Sequence, residues 1–210
     1  MTTRFIWTGP HDAKTAILFA HGAGTPMDSP FMADMAEKLG NKGYRVGRFE
    51  FPYMVKRRDD GKKRPPDRAP ALMDAFQTAI ADANITPGNK LVIAGKSMGG
   101  RIASMIADTA GVHALLCLGY PFHPTGKPDK PRTDHLKTLT TPSLICHGTR
   151  DPFGSPDEIA GYDLSPAIRL HWVADGNHDF TPRKASGRTQ DQNLDECAAA
   201  IDHFLQSLPG

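Results

Sequence analysis

Long hydrophobic runs are missing from this sequence. Apolar stretches such as Ala16–Ala20 and Ala114–Leu118 extend for only five residues, whereas a helix crossing a bilayer needs roughly 20. No membrane association is therefore expected. The N-terminus, MTTRFIWTGPHD, has no basic stretch leading into the apolar segment of about 7–15 residues that marks a secretory signal, so the expected location is the cytoplasm. Cysteine is scarce. Cys117, Cys146 and Cys197 are an odd number, form no Cys-x-x-Cys pair and lie in apolar segments, which excludes a disulfide framework and points to buried reduced thiols. There is no H-E-x-x-H and no Cys/His cluster at metal-ligand spacing. Neither a metal nor any other cofactor is expected.

What is present suits one globular domain spanning residues 1–210, with 39% hydrophobic residues and 20 glycines. From Ala16 onward, short apolar runs alternate with longer stretches of helical period, the pattern of an α/β fold with a mostly parallel sheet and helices on both faces. The runs predict strands at Thr15–His21, Tyr44–Phe51, Lys90–Gly95, His113–Tyr120, Ser143–Gly148 and Ile168–Ala174, and an antiparallel edge strand at Arg4–Thr8. A first helix begins at Ser29-Pro30, a cap followed by a first-turn proline, and carries Phe31, Met35 and Leu39 on one face. A second carries Leu72, Phe76, Ile80 and Ala83. A third covers Met98–Ala110 with Ile102, Met105 and Ile106 inward, and a last covers Gln190–Leu208. The proline-rich stretch Pro121–Pro131 reads as a surface excursion. It is too short for a helical lid.

Gly95-Lys96-Ser97-Met98-Gly99 fits G-x-S-x-G between a strand and a helix, the context of a nucleophile elbow. Flanking glycines permit the sharp turn that exposes the Ser97 hydroxyl, and the N–H of Met98 at the following helix N-terminus can donate to an oxyanion. Two nucleotide-binding readings fail on spacing. A phosphate loop ending in Gly95-Lys96-Ser97 would need a glycine where Lys90 stands. A dinucleotide fingerprint from Gly22-Ala23-Gly24 would need one at Met27. His21-Gly22-Ala23-Gly24 instead resembles the oxyanion loop of serine hydrolases, with Ala23 N–H as the second donor and His21 as a brace.

A serine hydroxyl needs a base, and the base an orienting acid. Asp151 follows the strand SLICHG, and His178 follows the next one. The order Ser97, Asp151, His178 is that of α/β-hydrolases. Asp175 and Asp179 flank His178 and are the alternative acids; the other histidines have no partner at a matching strand end.

The segments GKSMGGR, HGAGTPMDSPFM, RFEFPYM, GTRDPFG and GNHDF together resemble the small α/β-hydrolases of the dienelactone hydrolase-like group. More narrowly, they are similar to the family of testis-expressed hydrolase-like proteins and a hydrolase-like subunit of the nonspecific-lethal chromatin complex. The resemblance implies an α/β-hydrolase fold and a serine hydrolase triad. Dienelactone hydrolases use a cysteine nucleophile where this chain has Ser97, which argues against their particular substrate.

The expected activity is hydrolysis of a carboxylic ester or thioester through an acyl-enzyme. The alternatives are a catalytically idle interaction module and an acyltransferase using the same triad. A small soluble substrate is expected from the absence of a lid. Finally, Lys56–Arg68, KRRDDGKKRPPDR, holds seven basic and three acidic residues. It is short, contains proline and lacks interleaved aromatics, so nucleic acid is not the expected partner. It reads as a loop, either simply solvated or offering Arg57, Arg58, Lys62 and Lys63 to an anionic ester at the strand ends.

Overall fold

Side-chain alternation along the strands determines which helices pack where. The computed structural model describes residues 2–209. In β2 (Thr15–Ala20) the residues Ile17 and Phe19 point to one face of the sheet and Leu18 and Ala20 to the other, as the two-residue period requires. The same division holds in β4 (Lys90–Lys96), β5 (Ala114–Leu118) and β6 (Ser143–Gly148). With β1 (Phe5–Thr8), β3 (Arg45–Phe49) and β7 (Ile168–Val173), they form one seven-stranded sheet in the order β1-β3-β2-β4-β5-β6-β7. Only β1 runs antiparallel, paired with β3 at the edge.

On one face, Ile17, Phe19, Val92, Leu116 and Leu144 pack against Met32, Met35 and Leu39 of α1 (Pro30–Gly40) and the apolar stripe of α6 (Gln190–Gln206). On the other, Leu18, Phe49, Ile93, Leu115 and Ile145 meet α3 (Ala69–Asp82) and α4 (Met98–Ala110). Each such side chain contributes roughly 1.5–3 kcal/mol when fully buried. The three cysteines are buried and unpaired within these layers.

The sequence expectations need two corrections. Lys56–Arg68 is not a loop throughout: its first five residues belong to a helix, α2 (Pro52–Asp60). Pro52 starts it with φ already set, burial of Tyr53 and Met54 holds it, and Gly61 at φ 69 ends it. Ser29 does stand at the N-cap of α1, but its side chain makes no capping hydrogen bond and its Oγ is buried without a partner. Side-chain capping is found instead at α6, where Thr189 and Gln192 bond reciprocally, and at the short α5 (Pro156–Ala160), where Ser155 and Glu158 do so.

Candidate active site

The turn after β4 is shaped by close packing. A Cβ on Gly95 would lie 2.1 Å from the backbone of Gly99 and Gly100, and one on Gly99 would lie 2.6 Å from the carbonyl oxygens of Ala20 and His21. Between these glycines Ser97 adopts φ 52, ψ −116, a conformation that costs a non-glycine residue on the order of 1–3 kcal/mol. It is held by the Ser97 N–H donating to Leu118 O (2.9 Å) and by the Arg101 N–H donating to Ser97 O (3.1 Å). The strain turns the hydroxyl out at the carboxyl ends of the parallel strands.

There the structure brings three of the expected residues together. His178 Nε2 lies 2.9 Å from Ser97 Oγ, and its Nδ1 lies 2.8 Å from Asp151 Oδ2. With the ring neutral, Nδ1–H donates to the carboxylate and Nε2 accepts the serine proton. Asp151 is 3% exposed, and its other oxygen accepts the Phe153 N–H at 2.9 Å. Burial opposes ionisation of this carboxyl. The hydrogen bond from His178, the neighbouring His147 and His178, and the Phe153 amide outweigh burial and hold Asp151 below the usual carboxylate range. The alternative acids are engaged elsewhere. Asp175 pairs with Arg150 and Arg183, and Asp179 pairs with Lys96.

On the opposite side of Ser97 lies the His21–Gly24 loop. His21 is fully buried; its Nδ1 donates to Gly22 O (2.6 Å) and its Nε2 accepts the Phe51 N–H (3.1 Å), so it braces the loop. Tyr53 donates to Ala23 O at 2.9 Å. Ala23, Ser97 and Met98 all line a cleft of about 290 Å³. The amides of Ala23 and Met98 find no hydrogen-bond acceptor among the described residues.

Four basic residues singled out in the sequence are not brought to this cleft. The Arg58 guanidinium binds Glu50 (2.6 Å) and Asp28 (2.8 Å). Arg57 reaches Gly24 O at 3.3 Å, while Lys62 and Lys63 are exposed. Arg58 lines a different, larger cavity of about 650 Å³ with Glu50, Val55 and Thr3. Ser97, Asp151 and His178 are not among the residues lining that cavity, and Arg58, Glu50 and Asp28 in its wall are joined in ion pairs.

Other residues emerge only from the structure. The Lys96 ammonium, buried beside the elbow, donates to His178 O (2.8 Å), pairs with Asp179 Oδ1 (3.2 Å) and lies 5.2 Å from the Phe31 ring centre. The fully buried Asn193 of α6 donates to Phe180 O (2.7 Å) and Ala174 O (3.3 Å), clamping both ends of the turn that carries His178. Their partners are distant in sequence. The only sequence cue was a lysine inside the elbow motif and a polar residue on an apolar helix face.

The alpha/beta hydrolase domain family matches residues 13–206. Solved structures share the architecture over the whole chain. A dienelactone hydrolase from Anabaena variabilis is 20% identical with a TM-score of 0.74, covering 100% of both chains. A serine hydrolase without a lid from Xanthomonas campestris is 17% identical with a TM-score of 0.72, covering 100% of this chain and 97% of its own. The esterase domain of a Rhodothermus marinus protein is 14% identical with a TM-score of 0.70, covering 100% of both. With its mostly parallel sheet and the elbow at the end of β4, this chain belongs to the alpha/beta hydrolase domain family.

Proposed function

We propose that this protein is a serine hydrolase cleaving a carboxylic ester or thioester. The observation that carries the reading is the unbroken hydrogen-bonded series from buried Asp151 through His178 to Ser97, ending on a strained elbow. Ser97 Oγ adds to the carbonyl carbon as its proton passes to His178 Nε2. The carbonyl oxygen becomes an oxyanion facing the Met98 and Ala23 amides, and Asp151 steadies the imidazolium. Collapse returns the proton from His178 to the leaving alkoxide or thiolate and leaves an acyl-Ser97 ester. Water then adds with His178 as base, and the carboxylic acid departs. The modest cleft and the short excursion after β5 favour compact soluble substrates. The narrower likeness to testis-expressed and chromatin-complex proteins carries no activity with it, so the reading rests on the triad geometry.

A fluorophosphonate probe with peptide mapping tests it. Ser97 is the serine expected to be labelled, and Ser97→Ala should lose labelling and lower kcat for p-nitrophenyl acetate by at least about 10⁴-fold while keeping its melting temperature. Labelling elsewhere, or undiminished turnover, would overturn the assignment.

A further inference from the structure

The cleft beside Ser97 contains two arginines with nothing to neutralise them. Arg101 lies one helical turn after Ser97 on α4, and Arg132 lies where the excursion after β5 returns to the body of the protein. Both are half-buried. Five arginines pair with a carboxylate; Arg101 and Arg132 belong to those that pair with none among the described residues, and these two share the cleft with Ser97. Arg101 Nε is buried without a hydrogen-bond partner. Asp67, the acid on the cleft wall, is exposed and bonds to neither guanidinium.

Two like charges confined to one cleft destabilise each other unless an anion joins them. Burial first, then the charge of Arg101, makes Arg132 give up its proton more readily than usual. Yet the backbone fixes both residues in place. Arg132 N–H donates to Phe122 O (2.7 Å), and the Tyr120 hydroxyl donates to Arg132 O (2.8 Å). Arg101 is locked into the first turn of the elbow helix. Cations held at a nucleophile with no internal counterion form a built anion site, and a guanidinium fork suits a planar carboxylate.

We propose that Arg101 and Arg132 bind a carboxylate on the substrate, so that the enzyme acts on half-esters or half-thioesters of short dicarboxylic acids. The inference rests on the serine hydrolase reading and gives it a substrate class. Four residues of helix rise span about 6 Å, which suits an acid whose free carboxylate lies a few carbons from the scissile carbonyl. It also moves the anion site from the basic segment around α2, whose Arg58 is already paired, to the wall of the cleft beside Ser97.

The kinetic test compares monoethyl glutarate with ethyl pentanoate, equal in acyl length but differing in charge, by ethanol release. Wild-type kcat/KM should favour the glutarate by at least about tenfold. Arg101→Gln and Arg132→Gln should each lower that preference by about tenfold or more, mainly through KM, with Arg132→Lys intermediate. Both esters report on the same nucleophile, so any loss of folded enzyme cancels from the ratio. The second test is calorimetric binding of glutarate, expected for wild type and lost in both glutamine variants. A wild type that favours ethyl pentanoate, or a preference unmoved by the substitutions, overturns the subsite. So does glutarate binding that survives both. If fluorophosphonate leaves Ser97 unlabelled but glutarate binds through the two arginines, the anion site stands and the hydrolase reading falls. If Ser97 is labelled and no preference or binding appears, the reverse holds.

Discussion

Lys96 places an ammonium where desolvation disfavours it, and burial lowers its pKa despite the pull of Asp179 and Asp151. Such a group persists when it is fully engaged. Here it ties the elbow strand to the backbone carbonyl of the catalytic histidine proposed above. Lys96→Met should therefore lower kcat for p-nitrophenyl acetate by about tenfold with little change in KM, and Lys96→Arg should recover part of the loss. An unchanged kcat in the methionine variant would reduce Lys96 to packing. Protonation of the triad gives a second test. Asp151, held below the usual carboxylate value of about 3.9, stays ionised throughout the neutral range. Its share of stability is present above the unfolded value and is lost only as pH falls through its folded one. Asp151 should then add no limb of its own to the pH profile of kcat/KM above about pH 4. A two-proton slope in the pH–rate profile would contradict this. Ser97, Asp151 and His178 were legible because each follows a recognisable strand. Lys96, Arg101, Arg132 and Asn193 were not, because what gives them meaning is a partner or a cleft assembled from remote segments.

Among the elements, the strands were readable to within one or two residues, since short apolar runs end at glycine, histidine or a charged residue. Helix α4 began and ended where its periodicity indicated. The miss was α2: nine residues with only Tyr53 and Met54 buried and a second half made entirely of charged residues, Lys56–Asp60, give no amphipathic stripe. Its proline start and glycine stop were both in the sequence, and charge obscured them. The elbow is an element with little tolerance. Gly99→Ala would drive a methyl to 2.6 Å from two backbone carbonyls, where neither strand nor helix can retreat. Destabilisation above about 3 kcal/mol is expected, seen as a melting temperature lowered by more than roughly 6 °C for a chain of this size. A normal melting temperature would mean that the turn can relax.

Across the whole molecule, β4 is the middle strand of seven, with three neighbours on each side. The loop bearing Ala23 follows β2 on one side, while Asp151 and His178 follow β6 and β7 on the other. The sheet is thus divided chemically at its centre line. In the mechanism proposed above, the β2 side supplies an amide to the oxyanion, the β6–β7 side handles the proton, and Ser97 stands between them. On that mechanism, changes to the Ala23 loop should retune which acyl groups or phosphonate inhibitors are accepted without moving the pH profile. Changes that touch only Asp151 and His178 can shift the pH profile without altering the selectivity set by Ala23, Arg101 and Arg132. A single central residue lets substrate choice and acid–base tuning drift independently.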